Sequence, residues 1–208
     1  MRYLLVLATL LPVSCRTAGR SGGDTCADAV SKGLSLNCVA SLHPGQQTAN
    51  PAANGRGAAG VVHAEVRGNS LSPFINAGDS VEIYYGYYDT HEIQRGDIVV
   101  CRFSFRQDPV IKIVRAVPGD SFGFKDLGDG GALLLINGDV LENSVGRPYE
   151  FTGRRKRMLA LYARDYKGVI PPDSYLLLGD AAEGSLDSGR FGLVDKEVII
   201  GKAMRGSR

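Results

Sequence analysis

The pattern of apolar and polar positions divides the 208-residue chain into three textures. The first is a short apolar run, Tyr3 to Leu11 in "MRYLLVLATLLPVSC", behind a single arginine. One positive charge followed by a brief apolar stretch has the layout of an export signal over residues 1–15. The run is too short to span a bilayer as a helix, which takes about 20 apolar residues. The second texture, residues 16–60, is rich in Gly, Ala, Ser, Thr and Asn and holds neither a period of 2 nor one of 3.6. Such a stretch buries too little apolar surface to offset its ordering entropy, which predicts a disordered linker with at most a short helix over Ala27–Leu34. From Val61 to Arg208 short apolar runs alternate with Gly, Pro, Asn and Asp. "SVEIYY", "DIVVCRF", "VIKIVRAV", "ALLLING" and "SYLLLGD" all have strand length and strand composition. Asn137-Gly138 between two runs predicts a two-residue hairpin, since both central residues must take positive φ. No long helical pattern stands out after residue 61, so residues 61–208 are expected to form one mainly β domain, a Greek-key sandwich or a folded antiparallel sheet.

Composition adds little to this and excludes some functions. Apolar content of 44% and charged content of 22% suit one globular core. A net charge of +2 gives no basic face of the kind nucleic acid requires. One local exception is "GRRKR", Gly153 to Arg157, which is either a solvated loop or a contact for anionic headgroups at roughly 1 kcal/mol per cation. The cysteines at 15, 26, 38 and 101 show no zinc spacing, so no metal or cofactor is expected. Cys15, after the apolar run, could be acylated; Cys26 and Cys38 could pair in an oxidising compartment; Cys101 reads as a buried strand thiol.

Candidate chemistry centres on "VRGNSLSPFINAGDSVEI", where Ser70 lies beside a proline turn. Histidine is the usual partner of a serine nucleophile. His43 lies in the linker, His63 lies on the run leading to Ser70, and His91 lies in a polar loop, so a histidine triad is poorly supported. Lys112 is the alternative. Strand alternation puts it on one face with Val110 and Val114, where burial disfavours the ammonium and lowers its pKa from about 10.4. A neutral lysine in reach of Ser70 can take its proton, whereas a lysine snorkelling from a strand edge cannot. A third segment, "GDAAEGSLDSGRFG", offers Ser185, Asp187, Ser188 and Arg190 in a Gly-rich loop after a strand. Ser185 could orient the amine, and Asp187 could hold the loop by pairing with Arg190.

Together these segments resemble the type I signal peptidases, membrane-bound serine–lysine proteases. "GNSLSPF" keeps that family's Gly, Ser and Pro, with Leu71 in place of the usual Met and Phe74 in place of Thr. "QRGDIVVCRF" matches its Arg-Gly-Asp-Ile-Val-Val strand. "IKIVRAVPGD" keeps the lysine ahead of a Pro-Gly-Asp turn, with Ile113 for a common Arg. "GDAAEGSLDSGRFG" keeps Gly-Asp and Ser-x-Asp-Ser, with Ala181 for a frequent Asn and Gly189 for the Arg that normally follows the second Ser. The resemblance runs from Val61 to Ala203 with the segments in the family's order.

The resemblance implies that Ser70 is the nucleophile, Lys112 the general base, Ser185 the hydroxyl that positions the lysine, and Asp187 a structural support. Some members place an oxyanion-hole serine two places before the nucleophile; here that place is Gly68, leaving the Ser70 backbone N–H. The substrate would be the signal peptide of an exported preprotein, bound as an added strand against walls that include Val66, Leu71, Ile75, Val110 and Ile111, and cut after a small residue. The enzyme would sit on the membrane, its catalytic domain on the outer face, with "IYYGYY" at the interface or in the core. Three rival readings stand beside this one. They are a conjugation-type peptidase that matures or circularises pilin, a self-cleaving regulator, and a β-rich binding module without catalysis. The self-cleaving regulator needs a partner domain that residues 16–60 do not show.

Overall fold

The computed structural model describes residues 41–44 and 60–206. Its strands are β1 (Ser41–Pro44), β2 (Gly60–Arg67), β3 (Ser80–Tyr85), β4 (Ile98–Cys101), β5 (Val110–Ala116), β6 (Phe122–Asp126), β7 (Ala132–Ile136), β8 (Asp139–Val140), β9 (Glu150–Phe151), β10 (Ser174–Leu178), β11 (Val194–Asp195) and β12 (Ile199–Arg205). Two helices accompany them, α1 (Gly153–Asp165) and α2 (Ser188–Phe191). The larger sheet runs β1-β2-β3-β12-β4-β5-β10-β11, and β1 also meets β5, so that six of its strands close on themselves. The smaller sheet joins β6, β7 and β8, with β9 on β7. All these pairings are antiparallel, as expected for the mainly β domain.

The central strands read as unbroken apolar runs because both of their faces are covered. Ile98 and Val100 of β4, with Ile111 and Ile113 of β5, join Ala64, Val66, Val81, Ile83 and Ala203 in one core. The alternate residues Val99, Cys101, Val110 and Val114 join Leu177, Tyr175 and Val194 in a second. β3 and the β7–β8 hairpin follow the sequence pattern closely: Asn137 (φ 53°) and Gly138 (φ 91°) make the turn between Ile136 and Asp139.

One expectation fails. The "GRRKR" run is the first turn of α1, not a loop. Arg, Lys, Met, Leu and Ala are strong helix formers, and Arg155, Leu159, Tyr162 and Ala163 fall on one helical stripe. Leu159 is fully buried, and Tyr162 and Ala163 pack against the same third core around Tyr149, Phe151 and Leu176. Ser41–Pro44, within the expected linker, forms β1, so His43 lies on a strand. The export-like start, acylation at Cys15, pairing of Cys26 with Cys38 and the helix over Ala27–Leu34 fall outside the described residues. No helix among the described residues is long and apolar enough to cross a membrane.

Candidate active site

β2 ends at Arg67, and the chain turns at once through Gly68 (φ 82°), a conformation that favours glycine. Ser70 sits in this turn, 1% exposed, with its carbonyl tied across the fold by the backbone N–H groups of Asp180 (2.8 Å) and Ala181 (3.3 Å). Lys112 projects from the middle of β5 and is fully buried. Its Nζ donates to Ser70 Oγ at 2.9 Å. Burial, and against it the attraction of Asp187, set the amine: its pKa falls from the ordinary 10.5 to about 8. No carboxylate hydrogen-bonds to Lys112 among the described residues. Burial therefore weakens the amine's hold on its proton, with no bonded carboxylate to restore it. Burial has the opposite consequence for its neighbour Cys101, whose thiol is pushed up to about 12 and kept protonated.

The floor beneath the pair is the strand end and loop that run from Leu178 to Arg190. Gly179 passes so close to the nucleophile turn that a Cβ there would lie 2.3 Å from the Ser70 carbonyl oxygen and 2.6 Å from Ser185 Oγ. Only glycine allows this approach. Asp187 organises the loop. Its Oδ2 accepts from Ser185 Oγ at 2.7 Å and from Gly179 N–H at 3.3 Å, and its Oδ1 accepts from Gly189 N–H at 3.0 Å. The Ser188 hydroxyl accepts from Leu177 N–H at 2.9 Å. One layer further out, Arg115 of β5 bonds Asp180 at 2.9 Å and the Tyr149 hydroxyl at 2.8 Å, while Tyr149 donates to the Gly179 carbonyl at 2.6 Å. A cleft of about 310 Å³, lined by Ser72, Pro73, Asn143, Val145, Arg147, Ala181 and Glu183, opens beside this turn.

The fold thus gathers Ser70, Lys112, Ser185, Asp187 and Gly68 from three separate segments. Ser185 bonds to Asp187 and makes no hydrogen bond to Lys112. Of the five expected substrate walls, Val66, Leu71, Ile75 and Ile111 are fully buried in one core, and Val110 packs in the other. Alternation along β5 separates Val110 from Ile111, so the two do not share a wall.

The expected pairing of Asp187 with Arg190 is absent. Arg190 is exposed and meets Asp187 only through its backbone N–H. The cation at Asp187 is Arg155, from α1, at 3.8 Å. Its guanidinium lies 4.4 Å from the centroid of the Phe151 ring, and Nη1 donates to the Glu183 carbonyl at 3.0 Å. A Cβ on Gly189 would come within 2.9 Å of Arg155 Nε. A side chain at position 189 would enter space that Arg155 occupies here. Neither Arg155 nor the Arg115–Asp180–Tyr149 group was apparent from the sequence. The helical stripe through Leu159 was the available sign that Arg155 faces inward.

Comparison with known proteins identifies the family of the chain. Residues 58–205 match the family described as signal peptidase, peptidase S26. Signal peptidase IB of Staphylococcus aureus (strain COL) is 31% identical over 144 residues, 66% of this chain and 72% of that protein. Signal peptidase I of Bacillus caldolyticus is 30% identical over 140 residues, 66% of this chain and 74% of the other. A crystal structure of a signal peptidase I from Enterococcus faecalis V583 aligns at 24% identity and a TM-score of 0.39, covering 54% of this chain and 97% of that one. With a family match over most of its length and relatives at this level of identity, the chain belongs to the signal peptidases of the S26 family.

Proposed function

We propose that the protein is a serine endopeptidase that removes signal peptides from exported preproteins, with Ser70 as nucleophile and Lys112 as general base. The observation that carries the reading is the 2.9 Å bond between Lys112 Nζ and Ser70 Oγ inside an apolar enclosure. With the amine at about 8, about a tenth of it is neutral at pH 7, and that fraction rises steeply above neutrality. The neutral amine takes the Ser70 proton as Oγ attacks the carbonyl carbon of the scissile bond. The Ser70 backbone N–H faces the developing oxyanion; Gly68 supplies no side-chain donor there. The lysine then returns its proton to the leaving amine; a water next attacks the acyl carbonyl as it gives a proton to the same lysine, and the lysine passes that proton to Ser70 Oγ as the acyl bond breaks.

Asp187 and Ser185 hold the loop whose glycine presses on the nucleophile turn, and so fix Oγ against Nζ. The substrate lies as an extended strand, with a small residue before the cut bond. Exposed Phe105 and the outer cations Arg154 and Arg157 support docking on a membrane surface. Cleavage of a model preprotein in detergent by the parent, Ser70→Ala and Lys112→Ala proteins tests the reading. A cut by the parent alone, after a small residue, is expected. A parent that cuts nothing and is not labelled at Ser70 by a serine-directed probe would overturn it.

A further inference from the structure

Two backbone edges converge on the dyad. The edge of β2 opposite β3 leads straight into the Ser70 turn. On β5, β10 pairs only from Ile113 onward, which leaves Val110 to Lys112 uncovered by it on the side opposite β4. Such edges take up a strand from elsewhere. Here one is already in place. β1 pairs with β2 through Ser41↔Arg67, Leu42↔Val66, His43↔Glu65 and Pro44↔Ala64, and its first residue also pairs with Val110 of β5. It runs antiparallel to both, away from the dyad, and begins level with the last residue of β2.

We propose that Ser41–Pro44 is an internal occupant of the peptide slot, a strand of the enzyme's own chain that substrate must displace before it reaches Ser70. The inference rests on the serine–lysine reading above and adds a regulatory element to it. Three features fit an occupant that is displaced rather than built in. It is four residues long. Pro44 lacks an N–H and so cannot extend the ladder. Among the described residues its pairing with β5 involves one residue. The chain is then in its binding-competent form for only part of the time, and the apparent affinity for substrate falls by that fraction; a slot free one time in ten weakens binding about tenfold.

The test uses the full chain in detergent and a fluorogenic peptide carrying a signal-peptide cleavage site. His43 and Glu65 are register partners, and Glu65 is exposed. Facing antiparallel Cα atoms stand about 4.5–5.5 Å apart, within the range a disulfide spans. In the His43→Cys/Glu65→Cys chain an intramolecular crosslink is expected under oxidation, with cleavage of the peptide lost and restored on reduction. A second variant with Ser41–Pro44 replaced by Gly-Ser-Gly-Ser should show KM lowered about tenfold at unchanged kcat. Failure to crosslink, or a crosslinked chain that cuts with the parent's KM, overturns the inference and leaves the peptidase reading intact. Absence of cleavage in every form, including the Gly-Ser variant, removes both.

Discussion

Strand β5 carries two cations in opposite settings. Lys112 lies among Val99, Cys101, Val110 and Val114, with a serine hydroxyl as its hydrogen-bond partner. Arg115 lies beside Asp180 at 2.9 Å and Tyr149. Burial acts on both, with different results. A buried cation with a carboxylate keeps its charge and serves as a strut. A buried amine without a directly bonded carboxylate gives up its proton more readily and can serve as a base. The division of labour along one strand comes from the two side chains' chemistry together with what each meets, and substitutions at the two positions should therefore fail in different ways.

The largest effect is expected at the base. Lys112→Ala should lower kcat by about a thousandfold or more, the range removed with a general base. Lys112→Arg is the sharper form, because guanidinium keeps a positive charge but cannot give up its proton near neutral pH. Equal silence of the two variants in the preprotein assay points to proton transfer; substantial activity in Lys112→Arg would show that only charge is needed. Circular dichroism on both separates this from loss of fold.

At the strut the expected loss is in stability. Asp180 is fully buried and Arg115 is 15% exposed, so Asp180→Ala leaves a guanidinium with its carboxylate gone. Breaking a buried pair on one side costs about 3 kcal/mol. Urea denaturation should show a lowered midpoint at constant slope. The remaining folded protein should keep a pH profile like the parent's. A shifted profile would mean that Asp180 acts on Lys112, against the division drawn above.

The pH dependence of the parent follows from the lysine. Cleavage should rise with pH through about 8, as the amine loses its proton. Stability should rise too, above that point. Between about 8 and the unfolded value near 10.4, the unfolded chain holds a proton that the folded chain has lost, and the slope of unfolding free energy against pH is positive. Below about 8 both states carry the proton and this contribution is flat. Lys112→Met removes the group, so subtracting its urea midpoints from the parent's across pH 7–10 isolates the effect. No difference in slope would mean that the lysine titrates in the folded protein as it does in water.

These two settings were unequally legible in the sequence. Strand runs such as "DIVVCRF" and "VIKIVRAV" are read directly, because burial on both faces leaves no polar alternation to confuse them. Lys112 stands out for the same reason, as one charge in an apolar run. The strut could not be read, because Arg115, Tyr149 and Asp180 come from distant segments and each alone looks like an ordinary polar residue. α1 was hidden because its inward stripe starts with Arg155 in a cationic run, where an apolar residue would have marked the face. β1 was hidden because what places Ser41–Pro44 is backbone pairing, which leaves no trace in residue type.

Arg155 gives the smallest effect and the finest test of the comparison. It belongs to the struts: burial pulls its guanidinium below the ordinary arginine value, and Asp187 opposes that. Its 3.8 Å separation from Asp187 is long for a hydrogen bond, and Nε and Nη2 are buried without a hydrogen-bond acceptor. Its loss should therefore cost less than that of Arg115. Arg155→Ala should lower kcat/KM by about tenfold, a coupling of roughly 1.4 kcal/mol through the Asp187 loop. Gly189→Arg in the parent should be harmful, since a Cβ there meets Arg155 Nε and Phe151 Cε1 at 2.9 Å. In the Arg155→Ala background the guanidinium is gone, and the new arginine can enter the space it vacates. A double-mutant cycle should then show strong favourable coupling, with the double variant more active than either single one. Additive losses would mean that Arg155 packs against α2 without supporting Asp187, and that this loop holds Ser185 and the nucleophile turn through its hydrogen bonds alone.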